Sequence, residues 1–137
     1  MGTITLRWLE DQLMVGSDSH GHSVVIGRSP EPPNDWLGMK PSDLLLVAAA
    51  ACSTWDVVEI LAKQRQPLKD LKVVCSGEQN PDPPHAFTSI NLHYVAHGAI
   101  SADHLQKAIR LSEDKYCSVI CTLRPGVVIT SDFEIIM

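Results

Sequence analysis

From Pro41 to Ser53 the chain reads Pro-Ser-Asp-Leu-Leu-Leu-Val-Ala-Ala-Ala-Ala-Cys-Ser, a strongly helix-forming stretch with hydrocarbon on nearly every side and a cysteine set deep within it. Pro41 suits the first helical turn, where its missing N–H would have had no partner, and Asp43 places negative charge near the positive end of the helix dipole. The pattern predicts a helix from Pro41 to about Gln64. Leu44, Ala48, Ala51, Cys52, Trp55, Val58 and Ala62 recur along it at three- and four-residue steps, while Leu45, Leu46, Ala49 and Ala50 coat another side. Such a helix has to be enclosed, by a sheet on one side and by a helix or a second subunit on the other. Its uncharged run, Leu44 to Trp55, ends at Asp56 and is shorter than the ~20 residues that cross a bilayer. The expectation is a core helix, with no membrane partner.

The segments around this helix have the period of strands. Thr3 to Leu9 and Ser23 to Gly27 carry β-branched residues in short runs, with Gly16, Ser17, Asp18, Ser19 and Gly21 read as turn material between them. Ser29 to Gly38, with Pro30, Pro32 and Pro33, is a loop. After Pro67, Leu71 to Glu78 and Phe87 to His97 form a β-hairpin around Asn80 to Pro84, with Ile90, Leu92, Tyr94 and Ala96 on one face. Ser101 caps a helix with Leu105, Ala108, Ile109 and Ser112 on a narrow face, and Tyr116 to Leu123 is a further short helix. Val127, Ile129, Phe133 and Ile135 alternate with polar residues in a last strand. The order β-β-α-β-β-α-α-β, with strands and helices in blocks, predicts an α+β fold.

A chain of 137 residues fits one domain, 1–137, and buries enough surface to fold without disulfide staples. Its net charge of -5 leaves no basic footprint for phosphates, so nucleic acid is not expected as a partner. The N-terminus lacks the basic start and continuous apolar core of a secretory signal, which favours a cytoplasmic location. There Cys52, Cys75, Cys117 and Cys121 rest as thiols, and no Cys-x-x-Cys pair marks a zinc knuckle or a thioredoxin-type site. Cys75, mid-strand on a core face, reads as structural, and the step from Cys117 to Cys121 has no neighbouring histidine pair to complete a metal site. The six histidines read as surface or half-buried residues, and no cofactor or metal is expected. Asp56 and Glu59 read as a solvated or salt-bridged face, with general acid–base work as the alternative. Trp55, one turn from Cys52, is expected to pack beside its thiol.

Four pieces in order carry a resemblance. They are Lys40-Pro41-Ser42-Asp43-Leu44-Leu45-Leu46 leading to Ala51-Cys52-Ser53; Asp56-Val57-Val58-Glu59-Ile60-Leu61; Phe87-Thr88-Ser89-Ile90-Asn91-Leu92; and Leu111-Ser112-Glu113-Asp114-Lys115-Tyr116-Cys117-Ser118. In this arrangement, over nearly its whole length, the chain resembles the OsmC/Ohr family and most closely the YhfA-like branch. The resemblance implies an OsmC-like fold with antiparallel sheets wrapped around a long central helix, in an intertwined homodimer with active sites at the interface. It also implies that Cys52 is the peroxidatic cysteine and Cys117 the resolving one. Hydroperoxide reductases of the family add an arginine and a glutamate. Here Ser42 stands at the glutamate position with Asp43 beside it as an electrostatic helper, and neither Arg7 nor Arg28 matches the arginine.

The chemistry expected of this pair is reduction of hydroperoxides. A thiolate attacks the peroxide, the sulfenic acid condenses with the second thiol, and an external dithiol reductant regenerates the pair. Ionising a sulfur in an apolar helix requires a nearby cation or hydrogen-bond donor. The alternative is a non-catalytic OsmC-fold stress-response or small-molecule-binding protein whose thiols are sensors or structural.

Overall fold

The computed structural model describes residues 2–29 and 31–137; Met1 and Pro30, the latter one of the prolines of the expected loop, lie outside the described residues. The chain divides into two compact units at Leu45 and Leu46. In the first, β1 (Ile4–Glu10), β2 (Leu13–Asp18) and β3 (Ser23–Gly27) form an antiparallel meander in that order. The middle strand is an addition to the two expected here. Gly16, Ser17 and Asp18 looked like turn residues, but Gly16 pairs with Leu6 and Val24, and the turn is confined to the residues after Asp18. The Asp18 carboxylate closes that turn by accepting from the backbone N–H groups of His20 and His22 at 2.8 and 2.9 Å. The segment after β3 is the expected loop, held by bridges between Arg28 and Trp36 and between Ile26 and Met39. The guanidinium of Arg28 also lies over the Trp36 ring.

The long helix is α1 (Pro41–Lys63), and most of it belongs to the second unit. β4 (Asp70–Gln79) and β5 (Phe87–His97) form the predicted antiparallel hairpin, with Val73 opposite Tyr94 and Cys75 opposite Leu92. Next come α2 (Ala102–Leu111), a π-helical turn (Ser112–Tyr116), α3 (Ser118–Leu123) and β6 (Val128–Ile136). The Ser101 side chain caps α2 by accepting from the His104 N–H. β6 lies on the far side of β5 from β4 and runs parallel to β5, Ser89 facing Val128 and His97 facing Ile136. This sheet is therefore mixed, where antiparallel sheets were expected. A tight hairpin can join only antiparallel neighbours, whereas the long helical connection from β5 to β6 permits the parallel arrangement.

Because β5 is central, one of its faces is fully covered. Ile90, Leu92, Tyr94 and Ala96 are buried together with Leu105, Ala108 and Ile109 of α2, and with Cys117 and Ile120. From α1, Ala49, Ser53, Val57 and Leu61 are buried, an unbroken line at four-residue steps. That line lies beside the stripe read from the sequence. Ala51, Trp55, Val58 and Ala62 are exposed, Trp55 at 76%. On this line the small Ala49 and Ser53 precede the larger Val57 and Leu61. By length and composition α1 is long and apolar enough to cross a membrane, beyond what the uncharged run implied, but its inward line is packed in this core.

Gly98 ends β5 with φ 132°, and a Cβ there would strike the Pro67 carbonyl. Leu92→Ala, at a fully buried position, is expected to cost about 2–5 kcal/mol, read as a lower urea midpoint at unchanged slope. Gly98→Ala is expected to destabilise by more than about 1 kcal/mol on the same measurement; a neutral result would show that this connection relaxes freely.

Candidate active site

Two elements remote in sequence bring the expected thiols together. Cys52 lies on α1 one residue before the buried line, so its side chain stands at the margin of the core and is half-buried. Cys117 is fully buried at the start of α3, and its sulfur accepts the Ile120 N–H at 3.4 Å. The π-helical turn delivers it there: the Cys117 N–H bonds the Ser112 carbonyl at 2.7 Å, and extended backbone at Cys117 ends the turn. The two sulfurs and a carboxylate oxygen of Asp56 all lie within 4.8 Å of one another. Asp56 follows Cys52 by one helical turn, on the same face of α1.

The two thiols have opposite electrostatic settings. Burial works against ionisation of Cys52, but the backbone N–H of Val119, the Cys117 thiol, and the hydroxyl and N–H of Ser118 outweigh it and hold Cys52 below the ordinary thiol range. The Ser118 hydroxyl is 3.9 Å from the Cys52 sulfur. Cys117 is pushed up to about 12, first by burial and then because its proton serves Cys52. Of the two sulfurs Cys52 is therefore the more readily ionised, with the Cys117 thiol donating to it.

Behind the sulfurs runs a buried polar network. The Ser112 hydroxyl donates to Asp56 Oδ2 at 2.9 Å and lies 3.3 Å from the Ser53 hydroxyl. Ser53 and Tyr94 share a short hydrogen bond, and Tyr94 reaches Glu113 Oε1 at 3.5 Å. Ser131 of β6 donates to Glu113 Oε2 at 3.1 Å. Burial raises the Glu113 carboxyl above its usual value and raises the Tyr94 phenol further above its own. Sequence reasoning missed Ser53, Tyr94 and Glu113 as a unit. The available signal was Ser53 itself, a polar residue on a line otherwise made of Ala49, Val57 and Leu61, which requires a buried partner.

The remaining expectations sort clearly. Asp43 sits exposed in the first turn of α1, about two and a half turns before Cys52, outside the cluster. Glu59 is exposed and pairs with Lys63 at 3.3 Å, whereas Asp56, read with it as one solvated face, is half-buried against the thiols. Trp55 points into solvent instead of packing at the thiol, because it falls on the outward side of α1. It lines an apolar hollow of about 770 Å³ with Val47, Val58, Leu71 and Val73. Cys75 packs against the core, and burial raises its thiol. The Cys121 thiol turns away from Cys117 to the Glu113 carbonyl, 3.6 Å away. Among the histidines, His22 pairs with Asp18, His93 with Asp132 and Glu134, and His97 with Asp70, while the His85 ring bonds the Asn80 carbonyl and the His20 ring the Ser19 hydroxyl.

Known proteins resemble this chain in sequence and in fold. Residues 32–132 match the family model described as OsmC-like protein. Protein YhfA of Escherichia coli K12 is 35% identical over 133 residues, covering 96% of each chain. Among solved structures, an OsmC-like protein from Mycoplasma pneumoniae superposes with a TM-score of 0.85 at 19% identity, covering 100% of this chain and 98% of that one. The organic hydroperoxide resistance protein OhrB of Bacillus subtilis superposes with a TM-score of 0.65 at 14% identity, covering 98% of each. With a family model spanning most of its length and a curated relative matched nearly end to end, the chain belongs to the OsmC/Ohr family.

Proposed function

We propose that this protein is a thiol-dependent peroxidase that reduces organic hydroperoxides, with Cys52 as nucleophile and Cys117 as resolving thiol. The observation that carries the reading is the approach of the two sulfurs, with hydrogen-bond donors gathered on Cys52. Structural relatives named as organic hydroperoxide resistance proteins support the substrate class. In the first step the Cys52 thiolate attacks the distal peroxide oxygen and the O–O bond breaks. The departing alkoxide takes a proton and leaves as alcohol, and Cys52 becomes a sulfenic acid. The Cys117 sulfur, having given up its proton, then attacks the sulfenic sulfur, forming the disulfide and releasing water. An external dithiol reduces the bridge. In this reading Asp56 is the carboxylate beside the reacting sulfurs, and Asp43, about two and a half helical turns away, takes no direct part. A hollow lined by Asp56, Ile60, Lys63, Leu111 and Tyr116 offers space for the organic part of the substrate.

The working form in this proposal is a cytoplasmic homodimer. Support comes from the apolar residues a single chain leaves in water: Val47, Trp55 and Val58 on α1, and Ile4, Leu6 and Trp8 on β1. Such exposure exceeds what scattered surface residues contribute and marks surfaces that are covered in the assembled protein.

A second reading, a non-catalytic binding protein with sensor thiols, is favoured by the apolar hollow that Trp55 lines away from the cysteines. One experiment separates the two. Reduced protein treated with a slight excess of cumene hydroperoxide is expected to lose two free thiols per chain rapidly, and Cys52→Ser none. Cys117→Ser is expected to stop at a sulfenic acid that dimedone traps. Unchanged thiols in the wild type would leave only the binding reading.

The pH dependence follows from the same electrostatics. A Cys52 thiol held lower than an unperturbed cysteine is expected to be alkylated by iodoacetamide with its midpoint at a lower pH than that of the unfolded chain's thiols, while Cys117, which stays protonated, is unreactive throughout the neutral range. Ser118→Ala removes one donor to the thiolate and is expected to move the Cys52 midpoint upward. An unmoved midpoint would assign the activation to the backbone N–H groups alone.

A further inference from the structure

Cys52, Asp56 and Cys117 offer two sulfurs and one oxygen to a single point. We propose that the reduced form of this trio is a binding site for a thiophilic divalent cation of the zinc class, which occupies the dithiol and shields it from electrophiles. The inference shares its residues with the peroxidase reading but stands on the geometry of the donors, and nothing in it requires turnover.

The donor atoms lie within 4.8 Å of one another. A tetrahedral zinc ion with Zn–S near 2.3 Å and Zn–O near 2.0 Å holds two sulfurs about 3.8 Å apart, and sulfur and oxygen about 3.5 Å apart. Closing around the ion thus takes a shift of at most about 1 Å between the sulfurs and about 1.3 Å between sulfur and oxygen, within reach of side-chain rotation. Two ligands come from consecutive turns of the rigid helix α1, and the third from a cysteine whose backbone is fixed by the Ser112 carbonyl. The carboxylate is itself held: Ser112 donates to Asp56 Oδ2, and Ser112 is buried beside Ser53. Hydrogen-bonded support of this kind, orienting a ligating carboxylate, distinguishes a built site from two thiols that happen to be close. Among the described residues this is the one such trio, and Cys121, directed to the Glu113 carbonyl, is outside it.

The chemistry of the donor set selects the ion. Two thiolates are soft ligands that favour zinc and its congeners over magnesium and calcium, which prefer oxygen. Three protein ligands leave the fourth tetrahedral position to water, which can arrive from the hollow beside Asp56. Binding displaces the thiol protons, because metal-bound sulfur is held as thiolate, and gives two sulfurs and one carboxylate around a doubly charged ion, a net charge of one minus. A disulfide between Cys52 and Cys117 removes both sulfur ligands, so the site exists only in the reduced protein.

The test uses cobalt as the probe, since thiolate ligation gives an intense near-ultraviolet charge-transfer band and tetrahedral geometry gives strong visible bands. Titration of the reduced full-length protein is expected to produce both, saturating at one cobalt per chain, and zinc is expected to bleach them. Cys52→Ser and Cys117→Ser are expected to lose most of the charge-transfer intensity, and Cys75→Ser and Cys121→Ser to keep it. Asp56→Asn and Ser112→Ala are expected to weaken binding at least about tenfold. Circular dichroism on each variant separates lost binding from lost folding. Bound zinc is expected to slow iodoacetamide alkylation of Cys52. Absence of the band at an about tenfold excess of cobalt, its survival in folded Cys52→Ser, or equal affinity in Asp56→Asn and Ser112→Ala would overturn the proposal. Protein that binds cobalt yet ignores cumene hydroperoxide overturns the peroxidase reading alone. Protein that loses two thiols to the peroxide yet shows no cobalt band overturns the cation site alone.

Discussion

The hydroxyl of Ser53 is the fixed point from which the site is built. It stands on the inward line of α1, where every neighbour is apolar, and it is satisfied only by side chains from other elements: Tyr94 on the central strand and Ser112 at the end of α2. A buried polar group without a partner costs about 1–3 kcal/mol, so the rotation of α1 that meets these partners is strongly preferred over its neighbours. That rotation sets which face Cys52 occupies. A helix turned by one residue would direct the thiol either into the hydrocarbon beside Leu92 and Leu61 or out toward the exposed side that carries Trp55.

Given this placement, the chemical difference between the two cysteines follows from their surroundings alone. Cys52 stands at the edge of the core, where the first turn of α3 turns its N–H groups and the Ser118 hydroxyl toward it. Cys117 also accepts from backbone N–H groups, of Ile120 and Val119, but its burial and its interaction with Cys52 outweigh them. The same chemical group is thus made an acceptor in one position and a donor in the other. No full positive charge is needed to bring this about, because hydrogen-bond donors alone lower the Cys52 thiol.

Much of the fold was legible because local chemistry and global structure agree. Pro41, the Leu and Ala run, the Ser101 cap and the alternation in β5 each specify an element without reference to the rest, and each element appears with nearly the expected ends. β2 was hidden because Gly16, Ser17 and Asp18 have turn character, and only pairing with strands on both sides makes them extended. The orientation of α1 was hidden for a different reason. Its hydrocarbon coats every side, so periodicity could not choose the inward line, and the choice was made by one serine and two remote hydroxyls. The proximity of Cys52 and Cys117 was anticipated from family resemblance. The part of Asp56 was not, because its environment depends on the Ser112 hydroxyl, 56 positions away.

The parallel pairing of β6 with β5 has a consequence for how the molecule comes into being. A hairpin can zip from its turn, but a parallel neighbour must wait until the whole intervening crossover has been laid down, and closing such a long span is slow because its entropy is lost before its contacts are made. Ser131 on β6 completes the support of Glu113, and Cys117 lies within that crossover, so the second thiol of the pair enters the chain well after Cys52. Until then Cys52 has no sulfur from α3 beside it. The partnership of the two is acquired only when the start of α3 packs against α1.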